Sequence, residues 1–323
     1  MAASLVVVVA AAASVLGSAD VGGWPMYGAT ATHSRCQPRF VINSTRITPL
    51  WKFKTQNFVY GAPCVGSDET VYASSWDGAL YAINPDSTLQ WKYTVRRNEK
   101  IWSSPALGAT TAGAGGAAPV VVYVGGNQSL LAITTAPPNT SAPAAAGGAA
   151  TPMLKWAVKT TAPIFASPTV DHASGNVYIG GLDGTFLAVE PTAGKVLWTF
   201  KAGGPIYASA ALYAGTVYFA TLLPGQAFAL DAASGTKRWS ASTAAASASR
   251  TLPSLFPLPP ARLDAVRTYT SSPSTSPDGR VVYLADQEGQ FVALNASTGA
   301  VVCKTTATFG TVRAYAELYL RPT

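Results

Sequence analysis

Residues 177–200, VYIGGLDGTFLAVEPTAGKVLWTF, decide the fold. They read as three short strands. Val177-Tyr178-Ile179 is β-branched and aromatic, as strands prefer. Asp183-Gly184 is a hairpin turn, because both residue types tolerate a positive φ. Phe186-Leu187-Ala188-Val189 is the return strand. A second turn, Pro191-Thr192-Ala193-Gly194, leads into Val196-Leu197-Trp198-Thr199-Phe200. A meander of this size cannot bury both of its faces alone, so it needs neighbours of its own kind.

The chain supplies them. VYASSWDGALYAINPDSTLQWKY starts at Val71, VYVGGNQSLLAITT at Val122 with MLKWAVK resuming at Met153, VYFATLLPGQAFALDAASGTKRW at Val217, and VVYLADQEGQFVALNASTGAVVCK at Val281. Each carries an alanine at one place: Ala82, Ala132, Ala188, Ala229 and Ala293. Three copies share one spacing: Ala188, Glu190, Gly194, Trp198; Ala229, Asp231, Gly235, Trp239; Ala293, Asn295, Gly299, Cys303. The first copy is one residue shorter and lacks the glycine (Ala82, Asn84, Trp91). A further short run precedes each copy: APCVG at 62, SSPALG at 103, ASPTVD at 166, ASAALY at 208 and SSPSTSP at 271. That makes four strands per unit. Self-similarity at a period of about 40 residues, with four antiparallel strands each, predicts an all-β β-propeller.

The pattern Ala-x-Asp-x-x-(Thr/Ser)-Gly-x-x-x-Trp after a Val-Tyr hairpin resembles the tryptophan-docking repeat of the PQQ-like propellers. That group holds quinoprotein alcohol dehydrogenases, polyvinyl-alcohol dehydrogenase-like proteins and a bacterial outer-membrane assembly lipoprotein. The resemblance implies that the glycine turn starts the outer strand and that the tryptophan packs between blades against a neighbour's alanine. Trp91, Trp156, Trp198 and Trp239 match that tryptophan, and Cys303 replaces it in the last copy. Residues 24–28, WPMYG, followed by Leu50-Trp51-Lys52-Phe53, resemble the N-terminal opening of the dehydrogenase-like members. The resemblance runs over roughly residues 24–323.

About five complete blades and a partial one are expected, in a ring that does not close. Trp51 lies on an outer-type strand with no three strands before it, which in a closed propeller completes the last blade. Residues 311–320 resemble the first strand of a sixth blade, with no second or third strand after it. Such open edges invite self-association, and the chain reads as truncated at its C-terminus.

Residues 1–19, MAASLVVVVAAAASVLGSA, read as a signal peptide: an apolar run, Leu5 to Leu16, then small residues. The run is short for a membrane span, and no later stretch could cross a bilayer. Residues 20–323 form the propeller domain, interrupted by low-complexity loops at 109–119, 137–152 and 240–260. Secretion into an extracellular or lumenal space is the expectation. The sequons at Asn43, Asn127, Asn139 and Asn295 fit a glycoprotein. Cys36, Cys64 and Cys303 show no metal spacing; a Cys36–Cys64 bridge and free thiols both remain open.

Only 11% of the residues are charged, and the net charge of +7 is spread along the chain. No basic stripe interleaved with aromatics marks a nucleic-acid partner. His33 and His172 have no ligand neighbours at metal spacing and read as surface or loop residues. Asp77, Asp183 and Glu288 precede turn glycines. Glu190 and Asp231 stand where a side chain can bond the backbone of the next turn. Trp76 and Trp102 break the repeat; they could stack a planar ligand in a channel, but packing in the core or at the rim is preferred.

The resemblance also carries a cofactor expectation. Quinoprotein dehydrogenases hold PQQ and Ca²⁺ in a central channel, many under a bridge of adjacent cysteines. This chain has no adjacent cysteines, and the family's ligands and catalytic acid find no matching positions in it. No catalytic, cofactor or metal residue is therefore assigned. The expected function is a secreted, non-catalytic binding or scaffold module for a protein or glycan. The alternative is a PQQ-dependent alcohol dehydrogenase-like oxidoreductase, or a fragment of one.

Overall fold

A computed structural model describes residues 4–7, 26–27, 30–33, 49–95, 99–108, 120–135, 151–222, 225–242, 271–285 and 290–306. Every element in it is a strand, and five four-stranded antiparallel sheets carry the repeats. The first is β3 (Cys64–Val65), β4 (Val71–Ser74), β5 (Ala79–Ile83) and β6 (Leu89–Thr94). The second is β7 (Ala106–Leu107), β8 (Val121–Gly125), β9 (Ser129–Thr135) and β10 (Pro152–Lys159). The third is β11 (Thr169–Val170), β12 (Val177–Gly180), β13 (Thr185–Val189) and β14 (Val196–Lys201). The fourth is β15 (Ala211–Tyr213), β16 (Thr216–Ala220), β17 (Gln226–Asp231) and β18 (Lys237–Ser242). The fifth is β19 (Ser274–Thr275), β20 (Val281–Ala285), β21 (Gln290–Asn295) and β22 (Val301–Thr306). No sheet closes on itself. The expected all-β propeller architecture and its five blades are present.

The middle strands of the third blade, β12 and β13, are buried at every position, whereas β14 alternates toward solvent. A strand covered on both faces by neighbouring sheets reads as a continuous apolar run, and an outer strand does not. The cores lie between blades. Tyr72, Leu80 and Trp91 of blade one pack with Ile101, Val122 and Leu131 of blade two. Leu130 and Trp156 of blade two pack with Ile179 and Leu187 of blade three. Phe186 of blade three packs with Phe219 and Phe228 of blade four, and Trp239 of blade four packs with Val282 and Leu294 of blade five.

The repeated tryptophan works through the next blade. The Nε1–H of Trp156 donates to the Pro191 carbonyl at 2.9 Å, that of Trp198 to Ala232 at 3.0 Å, and that of Trp239 to Ala296 at 2.8 Å. The Val-Tyr tyrosine shares two of these acceptors: Tyr178 donates to Ala232 at 3.2 Å and Tyr218 to Ala296 at 3.4 Å. One carbonyl has two lone pairs, so it can serve both donors. The indole face then lies on the neighbour's turn glycine. A Cβ on Gly194 would stand 2.7 Å from Trp156, one on Gly235 2.6 Å from Trp198, and one on Gly299 2.7 Å from Trp239. The alanine expected as the neighbour's contact is instead the cross-strand partner within the same blade, as Ala188 is to Trp198. Trp91, Trp156 and Trp239 are buried, while Trp198 is only half-buried. The indole nitrogen of Trp91 is buried with no acceptor among the described residues; the second blade has the 137–152 insertion where the other blades place the turn.

A register shift recurs at one place, between Ala82 and Ile83, Ala188 and Val189, Ala229 and Leu230, and Ala293 and Leu294. It makes Leu197 an extra residue opposite β13. A bulge of this kind re-aims the next side chain, here Trp198.

The N-terminal segments sit against the ring. β2 (Trp51–Lys54) pairs antiparallel with β1 (Ser4–Val7), which lies inside the segment read as a signal peptide. Trp51 and Phe53 pack on Val71, Ala73 and Tyr81, the face of blade one turned away from blade two. That is where a preceding blade would lie; among the described residues β2 pairs there with β1 alone. The expected partner at 311–320 lies outside the described residues. So do Cys36, Asn43, Asn139, Glu288, the loop 109–119 and most of the loops 137–152 and 240–260. Cys64 is a fully buried free thiol, and Cys303 is free and exposed.

Residues 26–27 and 30–33 lie at the inner edges of the blades. Met26 is fully buried in the core shared by blades two and three. The Ala31 carbonyl accepts the Leu212 N–H at 2.6 Å, and the Thr32 carbonyl accepts that of Thr275 at 3.2 Å. His33 is bonded through Nδ1 to the Pro273 carbonyl at 2.8 Å and is only 4% exposed. The surface reading of His33 is therefore corrected: its ring locks this segment to blade five. Its φ of 54° is one that histidine adopts more readily than most non-glycine residues.

Candidate functional site

Around the axis, one residue per blade forms a relay. The N–H of Ala62 donates to Ser104 Oγ at 2.8 Å, Ser104 to Ser167 at 3.0 Å, Ser167 to Ser209 at 2.8 Å, and Ser209 to Ser272 at 3.0 Å. Each of these residues stands two positions after an equivalent point: Tyr60, Trp102, Phe165, Tyr207 and Thr270. Ile101, Ile164 and Ile206, just before three of these points, are fully buried. In extended chain, neighbouring side chains point to opposite sides, so the aromatics are turned out of the inter-blade core.

There they meet one another. The Tyr60 and Trp102 centroids are 5.8 Å apart, Trp102 and Phe165 4.4 Å, and Phe165 and Tyr207 5.1 Å in a stacked pair. The Tyr60 and Tyr207 hydroxyls bond at 3.2 Å, which completes the circle from blade four back to blade one. Trp76, from the β4–β5 turn, joins at 4.2 Å from Trp102 and stacks on Tyr60 at 5.9 Å, with Phe58 edge-on at 5.8 Å. The Lys100 ammonium stands 4.8 Å from the Trp76 ring centre and 5.8 Å from that of Trp102. Phe58 and Tyr60 are each 53% exposed. Trp76 and Trp102 are thus brought together, as rim packing expected. Tyr60, Phe165 and Tyr207 were missed, although their constant offset from the Ser-Pro runs was legible.

The carboxylates near this end are engaged. Asp77 accepts the Tyr81 hydroxyl at 2.5 Å and the Ala79 and Gln56 N–H groups at 3.0 Å. Asp183 accepts Thr185 N–H at 2.9 Å and the Thr161 hydroxyl. Glu99 accepts Asn127 N–H at 3.2 Å. At the other end, the turn role read for Glu190 and Asp231 is present, and Asn295 plays it too. Glu190 accepts Thr192 and Ala193 N–H at 2.5 and 2.8 Å, Asp231 accepts Ala233 and Ser234 at 3.1 and 2.9 Å, and Asn295 accepts Ser297 and Thr298 at 3.0 Å. The Thr192 hydrogen bond leads in holding Glu190 below the usual carboxylate range. Arg238, at 2.7 Å, leads in lowering Asp231 to about 2. His172 is exposed in the turn that follows Asp171.

Among the described residues no three His, Cys, Asp or Glu side chains stand together as a metal site. The rings at the mouth are in contact with each other, so no slot separates two of them for a planar quinone. The described residues at this mouth therefore do not fit a PQQ–Ca²⁺ pair. Among the described residues, no helix is long and apolar enough to cross a membrane.

Residues 95–259, about half of the chain, match the family model PQQ_2, described as outer membrane protein assembly factor BamB. No curated protein sequence matches. The quinohemoprotein alcohol dehydrogenase of Comamonas testosteroni has a similar structure, with a TM-score of 0.59 and 18% identity over 88% of this chain and 49% of that one. The quinohemoprotein alcohol dehydrogenase ADHIIG of Pseudomonas putida HK5 gives 0.62 and 20% identity over 88% and 48%. At such identities the likeness is one of fold, and the chain spans about half the length of these enzymes.

Proposed function

The chain belongs to the PQQ_2 family, and on that premise we propose that it is a non-catalytic binding or scaffold module for a protein or glycan. The observation that carries this reading is the circle of contacting aromatics at one end of the ring. It presents exposed aromatic surface at that end, through Tyr60 and the adjoining Phe58. Exposed apolar surface at the end of a rigid scaffold marks an interaction site. The family description, an assembly factor, agrees with a role in binding.

The same reading places the protein outside the cytosol, with residues 1–19 removed and Asn127, exposed in the β8–β9 turn, as a glycan acceptor. Self-association through open blade edges belongs with it. N-terminal sequencing and intact mass of the secreted protein test both processing steps; a mature chain starting at Met1 without added sugar overturns them.

The function is tested by titrating the protein with PQQ in the presence of Ca²⁺, by calorimetry and by dye-coupled alcohol oxidation. We expect neither saturable heat at micromolar PQQ nor dye reduction. Either signal would overturn the non-catalytic reading in favour of a quinoprotein-type oxidoreductase.

A further inference from the structure

We propose that Tyr60 and Tyr207 form an oxidative cross-linking site. A one-electron oxidant of the peroxidase class, driven by hydrogen peroxide, joins the two rings carbon to carbon and ties blade one covalently to blade four. This goes beyond the binding-module reading and does not depend on which ligand that module takes.

Three observations carry it. First, the two phenols meet, with their hydroxyl oxygens at 3.2 Å. A phenoxyl radical carries its unpaired electron on the oxygen and on the ring carbons beside the hydroxyl-bearing one. Rings that meet hydroxyl to hydroxyl therefore already hold their coupling carbons near each other. Tyr60 lies between β2 and β3, and Tyr207 between β14 and β15. A tilt of either ring closes the remaining gap without breaking a strand ladder. Second, the pair is reachable. Tyr60 is 53% exposed and Tyr207 is half-buried. Tyr123, Tyr178 and Tyr218 of the repeat are buried between blades, and the last two donate to the Ala232 and Ala296 carbonyls. An oxidant in solution meets Tyr60 and not these. Third, Tyr60 touches both indoles of the mouth, with centroids 5.9 Å from Trp76 and 5.8 Å from Trp102. An electron vacancy formed on either indole can pass through ring contact to Tyr60. Loss of the phenolic proton to water then traps it there as a neutral radical.

The step balances. Each phenol gives up one electron and its phenolic proton, and the two radicals couple through the carbons beside their hydroxyl-bearing ones. The hydrogens on those two carbons move to the phenolic oxygens and restore both hydroxyls. One C–C bond forms, two ring C–H bonds break, and one hydrogen peroxide is reduced to two waters. The two residues are 147 positions apart, so the link takes the freedom of a long loop from the unfolded chain and stabilises the fold.

The test treats the full chain, at high dilution, with a haem peroxidase and hydrogen peroxide. Dityrosine fluorescence should appear in a band that still runs as a monomer. Mass spectrometry of its digest should find the peptides holding residues 60 and 207 joined and lighter by two hydrogen atoms. Tyr60→Phe and Tyr207→Phe keep both rings in the mouth but remove one phenol, and unchanged melting curves before treatment will show that they fold. Each should reduce the monomer fluorescence to background. Tyr93→Phe, at a half-buried tyrosine on β6, should leave it unchanged. The linked wild type should melt at a higher temperature than the untreated chain, and treated Tyr60→Phe should not. Absence of the joined peptides, or monomer fluorescence that either mouth variant retains, overturns the proposal. So do links formed only between chains, and oxygen added to Trp76 or Trp102 with no link. A linked chain that melts no higher than the untreated one overturns the tie between blades.

Discussion

At the scale of single residues, the docking tryptophan combines packing with one hydrogen bond, and substitutions can separate the two. Trp156→Ala should cost about 3–5 kcal/mol, the usual range for a large buried aromatic. Trp156→Phe keeps most of the packing on Gly194 and loses the bond to Pro191, a loss of about 0.5–1.5 kcal/mol. Trp91→Phe should cost less than Trp156→Phe, because the Trp91 indole nitrogen has no acceptor among the described residues. Urea midpoints of the three variants check the order; equal losses for the two phenylalanine variants would refute the assigned bond. Gly235 carries a φ of +72° and lies under Trp198. Gly235→Ala should therefore destabilise by more than the roughly 1 kcal/mol that a glycine replacement changes at an unstrained position.

Asp231 gives a pH prediction on the same scale. Its folded value of about 2 lies below the roughly 3.9 of an unstructured aspartate. The unfolded chain therefore takes up the proton first. The contribution is complete above about pH 4 and is lost as the pH falls toward about 2. Solvent screens the pair with Arg238, whose side chains are 46% and 31% exposed, so it is worth no more than about 1 kcal/mol. Asp231→Asn keeps a turn acceptor, as Asn295 does. It should flatten the melting temperature against pH in that window; an unchanged acid limb would contradict the assignment.

At the scale of elements, the recurring bulge and the serine relay explain how identical sheets assemble in one direction. The extra residue before each tryptophan turns the indole toward the next blade, while each relay N–H reaches forward to the next serine. Ser167 is buried at 5% exposure and accepts from Ser104. Ser167→Ala leaves that N–H without a partner and should cost about 1–3 kcal/mol. Hydrogen exchange should then speed at Ser104 and its neighbours; protection equal to the wild type would show that the relay carries no stability.

For the whole molecule, the N-terminal segment is the tie between blades that are distant in sequence. Met26 sits with blades two and three, and residues 31–33 hold blades four and five. Met26→Ala should cost about 2–5 kcal/mol and should lower one cooperative transition. If only part of the chain melted earlier, the segment would be a local cover instead.

Much of this was legible in the chain alone. The recurrence of Val-Tyr, Ala, Gly and Trp set strand number, blade number and the turn role of Glu190 and Asp231. Those features depend on local propensity and on a period, and both are written along the sequence. The aromatic mouth was half legible: Trp76 and Trp102 stood out because they break the repeat, whereas Tyr60, Phe165 and Tyr207 obey it. That four residues between 60 and 207 form one surface depends on the curvature of the ring, which no local pattern encodes. The burial of His33 was hidden for the same reason. Its acceptor, the Pro273 carbonyl, lies 240 residues away, and only the packing of five sheets around one axis brings the two together.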